Sequence, residues 1–92
     1  MKTPRISLFV LTVAASGAAF AAPDCTKAPR AEWMSEAAMQ KQITDAGYKI
    51  GKFKISGSCY EIYGRDPSGK RVEIYYNPVD GSVVKKRGGD DD

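Results

Sequence analysis

The sequence predicts a small α+β domain in which an N-terminal helix packs on a four-stranded antiparallel sheet. Three observations favour this class. Apolar residues recur at helical spacing within residues 36–46. From residue 48 onward they alternate with a period of two, as in half-buried strands. Clusters of glycine, proline, serine and aspartate interrupt the alternating part at residues 57–58, 66–69 and 77–81. One helix followed by a meander of four short strands accounts for all three.

The first 21 residues predict a cleavable signal peptide. Lys2 and Arg5 precede an apolar or small stretch from Ile6 to Ala15, and small residues occur again at Ala19 and Ala21. The apolar stretch is about ten residues long, whereas a membrane-spanning helix needs roughly 20. We therefore expect cleavage near Ala21, release into the periplasm or the medium, and no membrane insertion.

Removal of residues 1–21 from the 92-residue chain leaves 71 residues, which is enough for one domain with a modest core. We expect an extended lead-in at 22–34, the folded domain at 35–87 and a disordered acidic tail at 88–92. The leader holds two of the 14 lysines and arginines, so 12 remain against 11 acidic residues. This near balance gives little support for nucleic-acid binding.

Two cysteines in an exported chain predict a disulfide, here between Cys25 and Cys59. Two free thiols or an intermolecular bridge are the alternatives. Closing a loop of about 35 residues stabilises a fold by roughly 3 to 4 kcal/mol in the chain-entropy model. That effect is comparable with the whole stability of a small domain.

The helix is expected to span residues 36–46. Ser35 is a typical N-cap, because its hydroxyl can accept an otherwise unpaired backbone N–H of the first turn. Met39, Ile43 and Ala46 recur at i, i+4 and i+7 and form one apolar stripe. Gly47 follows directly and supplies the left-handed conformation that ends many helices.

The strands follow from the alternation. Tyr48 and Ile50 share one phase while Phe53 and Ile55 share the opposite phase, which predicts a β-bulge near Gly51. The turns then delimit further strands at residues 59–65, 70–77 and 82–85.

The alternation also assigns the two faces of the sheet. In simple register, one face is apolar and can be covered by the helix and Trp33; it carries Tyr60, Ile62, Val72, Ile74 and Tyr76. The opposite face is expected to be exposed and is our candidate binding face: Glu61, Tyr63, Arg65, Arg71, Glu73 and Tyr75. Cys59 shares the phase of this second face, so the lead-in must reach it around a sheet edge or through irregular backbone.

Several segments resemble one known family. They are the helix after Trp33, the string Cys59-Tyr60-Glu61-Ile62, the turn and strand from Asp66 to Ile74, and the closing turn and strand from Asn77 to Val84. Over residues 31–87 the chain resembles the PepSY domain family, in particular its small stand-alone periplasmic members. Many relatives have aspartate where this chain has Asn77. The resemblance implies an antiparallel sheet covered by a helix, no enzymatic activity, and a role in inhibiting or regulating peptidases.

The residue inventory disfavours catalysis. The chain has no histidine, which excludes Ser-His-Asp and Cys-His mechanisms and the common zinc sites. A serine–lysine dyad is formally open, but no lysine stands out as a partner. Glu61 and Glu73 could form a carboxylate pair across two strands, but we interpret them as solvated carboxylates beside Arg65 and Arg71. We therefore expect no enzyme activity, no cofactor and no metal.

The leading functional hypothesis is a secreted binding module that regulates or inhibits a peptidase of the cell envelope. Tyr63 and Tyr75 suit such a surface, because tyrosine and arginine are enriched where proteins bind each other tightly. The alternative hypothesis is a ligand- or cation-binding envelope protein that uses the tyrosine-bearing face or the acidic tail. The sequence does not name the partner, the sheet edge used or the oligomeric state.

Overall fold

A computed structural model of the protein describes residues 21–89. The predicted signal peptide, apart from its last residue, and residues 90–92 of the acidic tail lie outside this range. The expectations made for those segments therefore remain predictions.

The structure confirms the predicted fold class. A 3-10 turn at Arg30–Glu32 lies within the lead-in and precedes the main helix. The sheet is antiparallel throughout, and its four strands lie side by side in chain order. The elements are α1 (Glu36–Asp45), β1 (Lys49–Ser56), β2 (Cys59–Arg65), β3 (Arg71–Tyr76) and β4 (Val83–Gly88).

Helix α1 begins where Ser35 predicts and ends at Asp45, one residue before the predicted end. The Ser35 hydroxyl accepts a hydrogen bond from the Ala38 backbone N–H at 3.0 Å, and Gly47 has a φ of 96°. Met39 and Ile43 are fully buried, whereas Ala46, the third residue of the predicted stripe, is exposed. The helix therefore contacts the sheet through its first and middle turns.

Strand β1 contains the predicted bulge. Its pairing with β2 shifts between Ile50 and Lys52, which leaves Gly51 without a partner residue. Beside the bulge, the β1 backbone passes so close to Gly64 that a Cβ there would overlap the Lys49 carbonyl oxygen. Glycine is therefore needed at position 64 for close approach rather than for an unusual φ.

The core lies between α1 and the inner face of the sheet. Tyr60 is directly opposite Tyr76, and Ile62 is opposite Ile74, so the simple register predicted for β2 and β3 is confirmed. Trp33 meets the Tyr60 ring edge-on at 5.3 Å between centroids. The buried core residues are Met39, Ile43, Tyr60, Ile62, Val72, Ile74 and Tyr76.

The turn between β3 and β4 is tied to both ends of the helical region. The backbone N–H of Met34 donates to the Pro78 carbonyl at 2.9 Å, and the Tyr60 hydroxyl donates to the Met34 carbonyl at 2.7 Å. Further along the helix, Gln42 Nε2 donates to the Gly81 carbonyl at 2.8 Å. The Met34 and Gln42 bonds therefore hold the turn against both the start and the later part of α1.

The lead-in crosses to the outer face of the sheet, where the structure confirms the Cys25–Cys59 disulfide. The Ser58 hydroxyl accepts a hydrogen bond from the Cys25 backbone N–H at 2.9 Å. Cys25 and Cys59 form a second buried cluster with Tyr75, and Ala22 packs against it. We call these four residues the disulfide cluster.

Strand β4 is longer than predicted. The expected end at Lys85 was wrong, because the strand continues through Gly88. Lys86 and Arg87 stay in the ladder opposite Ile74 and Glu73. Their long side chains find partners that a solvated strand end would lack: the Lys86 ammonium lies 6.0 Å from the Tyr48 ring centre, and Arg87 pairs with Glu73.

Replacing both cysteines with alanine should lower the free energy of unfolding by about 3 kcal/mol, because the unfolded chain is no longer cross-linked over 34 residues. Urea unfolding of the Cys25→Ala/Cys59→Ala protein and the oxidised protein measures the difference. A midpoint unchanged by the substitution would contradict the stabilising role of the disulfide.

Candidate functional site

The outer face consists of three rows of side chains that run across the strands. Cross-strand partners in an antiparallel sheet share a face, so the observed register defines the rows. The first row is Lys54, Glu61, Tyr75 and Lys85, the second is Lys52, Tyr63, Glu73 and Arg87, and the third is Lys49, Arg65 and Arg71. All six residues of the candidate binding face therefore lie on one side of the sheet.

The six residues do not share the exposure that we expected. Tyr63 is 42% exposed, and Arg65 and Arg71 are also exposed. Glu61 and Tyr75, in contrast, are only 1% and 4% exposed. The expectation of full exposure was wrong at these two positions, because alternation assigns a face but does not show what covers it. Here the disulfide cluster includes Tyr75, and Glu61 lies directly opposite Tyr75.

Glu61 and Glu73 form a carboxyl pair instead of two solvated carboxylates. Burial, and next the Glu73 carboxyl, raise the pKa of Glu61 above its usual value. The neighbouring Glu61 carboxyl in turn lowers the pKa of Glu73. When the pair holds a single proton, the raised pKa of Glu61 and the lowered pKa of Glu73 therefore place that proton on Glu61 and leave Glu73 ionised. Glu61 Oε2 is buried without a hydrogen-bond partner among residues 21–89.

The cation beside the pair is not the one expected from sequence. Arg87 Nη1 lies 3.4 Å from Glu73 Oε1, and the Tyr75 hydroxyl donates to Glu73 Oε2 at 3.0 Å. Arg65 and Arg71, the neighbours that the sequence predicts, lie in the next row instead. Sequence reasoning missed Arg87 because the predicted last strand ended two residues earlier, at Lys85. Extending the period-two alternation beyond Lys85 would have placed Arg87 opposite Glu73.

The same carboxyl pair also affects the Tyr63 hydroxyl. The neighbouring Glu61 carboxyl is the main cause that raises the pKa of Tyr63 to about 12. Burial and the Glu73 hydrogen bond raise the pKa of Tyr75 as well. Both phenols therefore stay protonated at neutral pH and can donate hydrogen bonds to the carboxyl pair.

A groove of about 690 Å³ crosses the outer face between the second and third rows. Tyr63, Glu73 and Arg87 form one wall, and Lys49, Arg65 and Arg71 form the other. The backbone of Ile50, Gly64 and Val72 lies between these two rows and forms the floor of the groove. The side chains of Ile50 and Val72 point to the opposite face of the sheet, and Gly64 has none. The groove therefore includes four of the six residues of the candidate binding face.

The groove has the features of a binding surface. It combines an exposed aromatic ring with several cations, and its volume is within the usual range for ligand sites. Within residues 21–89, no three histidine, cysteine, aspartate or glutamate side chains lie close enough to hold a metal ion. No helix of this part of the chain is both long enough and apolar enough to cross a membrane.

The fold and the groove together define a small disulfide-closed α+β domain with an open surface site on its sheet. A model of the PepSY family, peptidase propeptide and YPEB domain, matches residues 5–87. This chain therefore belongs to the PepSY family. Domains of this family are propeptide or regulatory modules related to peptidases. Comparisons with curated proteins and with solved structures gave no significant match.

Replacing Glu61 with glutamine should stabilise the protein at neutral pH. The folded state holds a proton on Glu61 at pH values where the unfolded chain has released it, so this group's contribution to stability falls as pH rises from the ordinary value through the raised pKa. Glutamine removes that loss, and we expect a gain of about 1 kcal/mol near pH 7.5, or roughly 4–8 °C in Tm.

The gain should disappear below about pH 4, where glutamate is protonated in both states. Glu73→Gln is the matched control and should destabilise at neutral pH, because the lowered pKa of Glu73 means that its ionised form stabilises the fold. Thermal melts of both variants across pH measure this. Destabilisation by Glu61→Gln at neutral pH would contradict the assignment of the proton.

Proposed function

We propose that the protein is a non-catalytic secreted binding module that regulates or inhibits a peptidase of the cell envelope. The groove on the outer face is its proposed contact surface. The single observation that most supports this proposal is the combination of membership in a peptidase-related family with an open groove containing Tyr63. Exposed tyrosine flanked by arginine is the side-chain combination that dominates many protein interfaces.

We further propose export by residues 1–21 as a signal peptide, with cleavage near Ala21. The disulfide fits an oxidising compartment, since such bonds form outside the cytosol. Ala22 is itself part of the disulfide cluster, so a chain that begins at Ala22 keeps the lead-in contacts described above. Residues 22–34 then serve as the lead-in and residues 35–87 as the folded domain.

The alternative, a ligand- or cation-binding protein that uses its acidic tail, makes a different prediction. Removal of the three terminal aspartates, residues 90–92, should abolish any calcium-dependent change in Tm if the tail binds the cation, and it leaves β4 intact. A groove-based peptidase regulator should retain its partner after the same truncation.

The proposed function predicts that the oxidised protein slows proteolysis by an envelope extract of the cells that produce it, and that Tyr63→Ala weakens this inhibition about tenfold. Loss of a central aromatic contact commonly costs more than 1 kcal/mol of binding free energy, which corresponds to such a factor. Cleavage of a fluorescent casein substrate at several inhibitor concentrations measures the effect.

Val79→Ala is the matched control, because Val79 is 39% exposed and lies in the turn before β4, outside the groove. Tyr75 is unsuitable for this test, since it is buried and its removal would disturb the disulfide cluster. No inhibition by the wild-type protein would reject the proposed function. Equal inhibition by wild type and Tyr63→Ala would reject the groove as the contact surface.

A further inference from the structure

The groove carries an excess of positive charge that its own side chains do not balance. Lys49, Arg65 and Arg71 occupy directly opposed positions on three neighbouring strands. Like charges placed opposite each other destabilise a sheet. Within residues 21–89, none of the three forms an ion pair with a carboxylate, and Arg65 instead donates to the Gly69 carbonyl at 3.0 Å.

The carboxylate in the opposite wall does not offset this row. Glu73 already accepts a hydrogen bond from Tyr75 and pairs with Arg87. Its two carboxylate oxygens are therefore engaged by Tyr75 of the first row and Arg87 of its own row, and not by the three cations across the groove. The row of three cations is left facing the space that a ligand would occupy, so a ligand with negative charge is favoured.

The dimensions favour an extended peptide over a small anion. Neighbouring strands lie about 4.8 Å apart, so three cations on adjacent strands span roughly 10 Å. On one face of an extended peptide, side chains recur about every 6.6–7 Å, so two acidic side chains can both reach this row. A volume of about 690 Å³ is also far larger than a single phosphate or chloride ion requires.

We propose that the groove binds an extended acidic segment of the partner protein. Two or more carboxylates of this segment pair with Lys49, Arg65 and Arg71, and its backbone packs against Tyr63. This inference rests on the proposed function, because it specifies the chemistry by which the partner is recognised. It also accounts for a like-charged row in a domain whose net charge after leader removal is close to zero.

A synthetic peptide tests the inference without a peptidase. We would titrate the full-length oxidised protein with an acetylated, amidated peptide of alternating glutamate and valine, roughly eight residues or about 26 Å long. The same peptide with glutamine in place of glutamate is the ligand control. Calorimetry gives the affinity, and backbone amide NMR shifts locate the site.

The protein variant for this test is Arg65→Gln/Arg71→Gln. We expect it to bind the acidic peptide about tenfold more weakly than wild type, with the difference reduced at high salt. Lys27→Gln/Lys41→Gln is the matched control, because it removes the same charge from the exposed surface of the lead-in and of α1. This control variant should keep the wild-type affinity.

Each other outcome overturns the proposal. Equal affinity for the glutamate and glutamine peptides, or for the two charge variants, would show that the cation row recognises no carboxylates. Binding only after Asp90→Asn/Asp91→Asn/Asp92→Asn would assign the groove to the chain's own tail. Binding to vesicles of anionic phospholipid with the same variant dependence, and not to the peptide, would assign it to a membrane surface.

Failure of this inference is distinguishable from failure of the proposed function. Peptide binding by a protein that does not slow proteolysis would support the acidic ligand and reject peptidase inhibition. Inhibition of proteolysis that Arg65→Gln/Arg71→Gln leaves unchanged would support the proposed function and reject the acidic segment.

Discussion

The position of the lead-in on the outer face of the sheet determines which part of that face is buried and which part is open to a partner. The Cys25–Cys59 disulfide holds the lead-in against the face that α1 does not cover, before the chain continues to the helix. One end of that face is thereby withdrawn from solvent, together with Tyr75 and, beside it, Glu61. The other end remains open and forms the groove. A sheet with both faces equally available would have no such localised site.

Burial at one end and charge at the other make the two halves of the outer face chemically different. Near the disulfide, the low-polarity surroundings favour a neutral Glu61, which leaves the ionised Glu73 to Tyr75 and Arg87. At the open end, Lys49, Arg65 and Arg71 form no ion pair with a carboxylate of residues 21–89. A cluster of unpaired positive charge attracts a partner of opposite charge from a distance.

Local signals in the sequence predicted most of the fold. Ser35 and Gly47 delimit α1, the phase change predicts the bulge at Gly51, and the alternation gives the register of β2 against β3. These features depend on neighbouring residues, so a single sequence contains them. The end of β4 was predicted too early, because lysine and arginine suit both a solvated terminus and a strand whose side chains reach distant partners.

The face of the candidate site was predictable, but the groove and its environment were not, since Lys49 and Arg87 also line the groove. Alternation placed all six residues on one face, yet the burial of Glu61 depends on where the lead-in crosses, which no local pattern encodes. A carbon-13 NMR titration of the Glu61 side-chain carboxyl tests this account most directly. We predict a pKa above the usual glutamate value in the oxidised protein and a return toward it in Cys25→Ala/Cys59→Ala. An ordinary pKa in the oxidised protein would contradict the account.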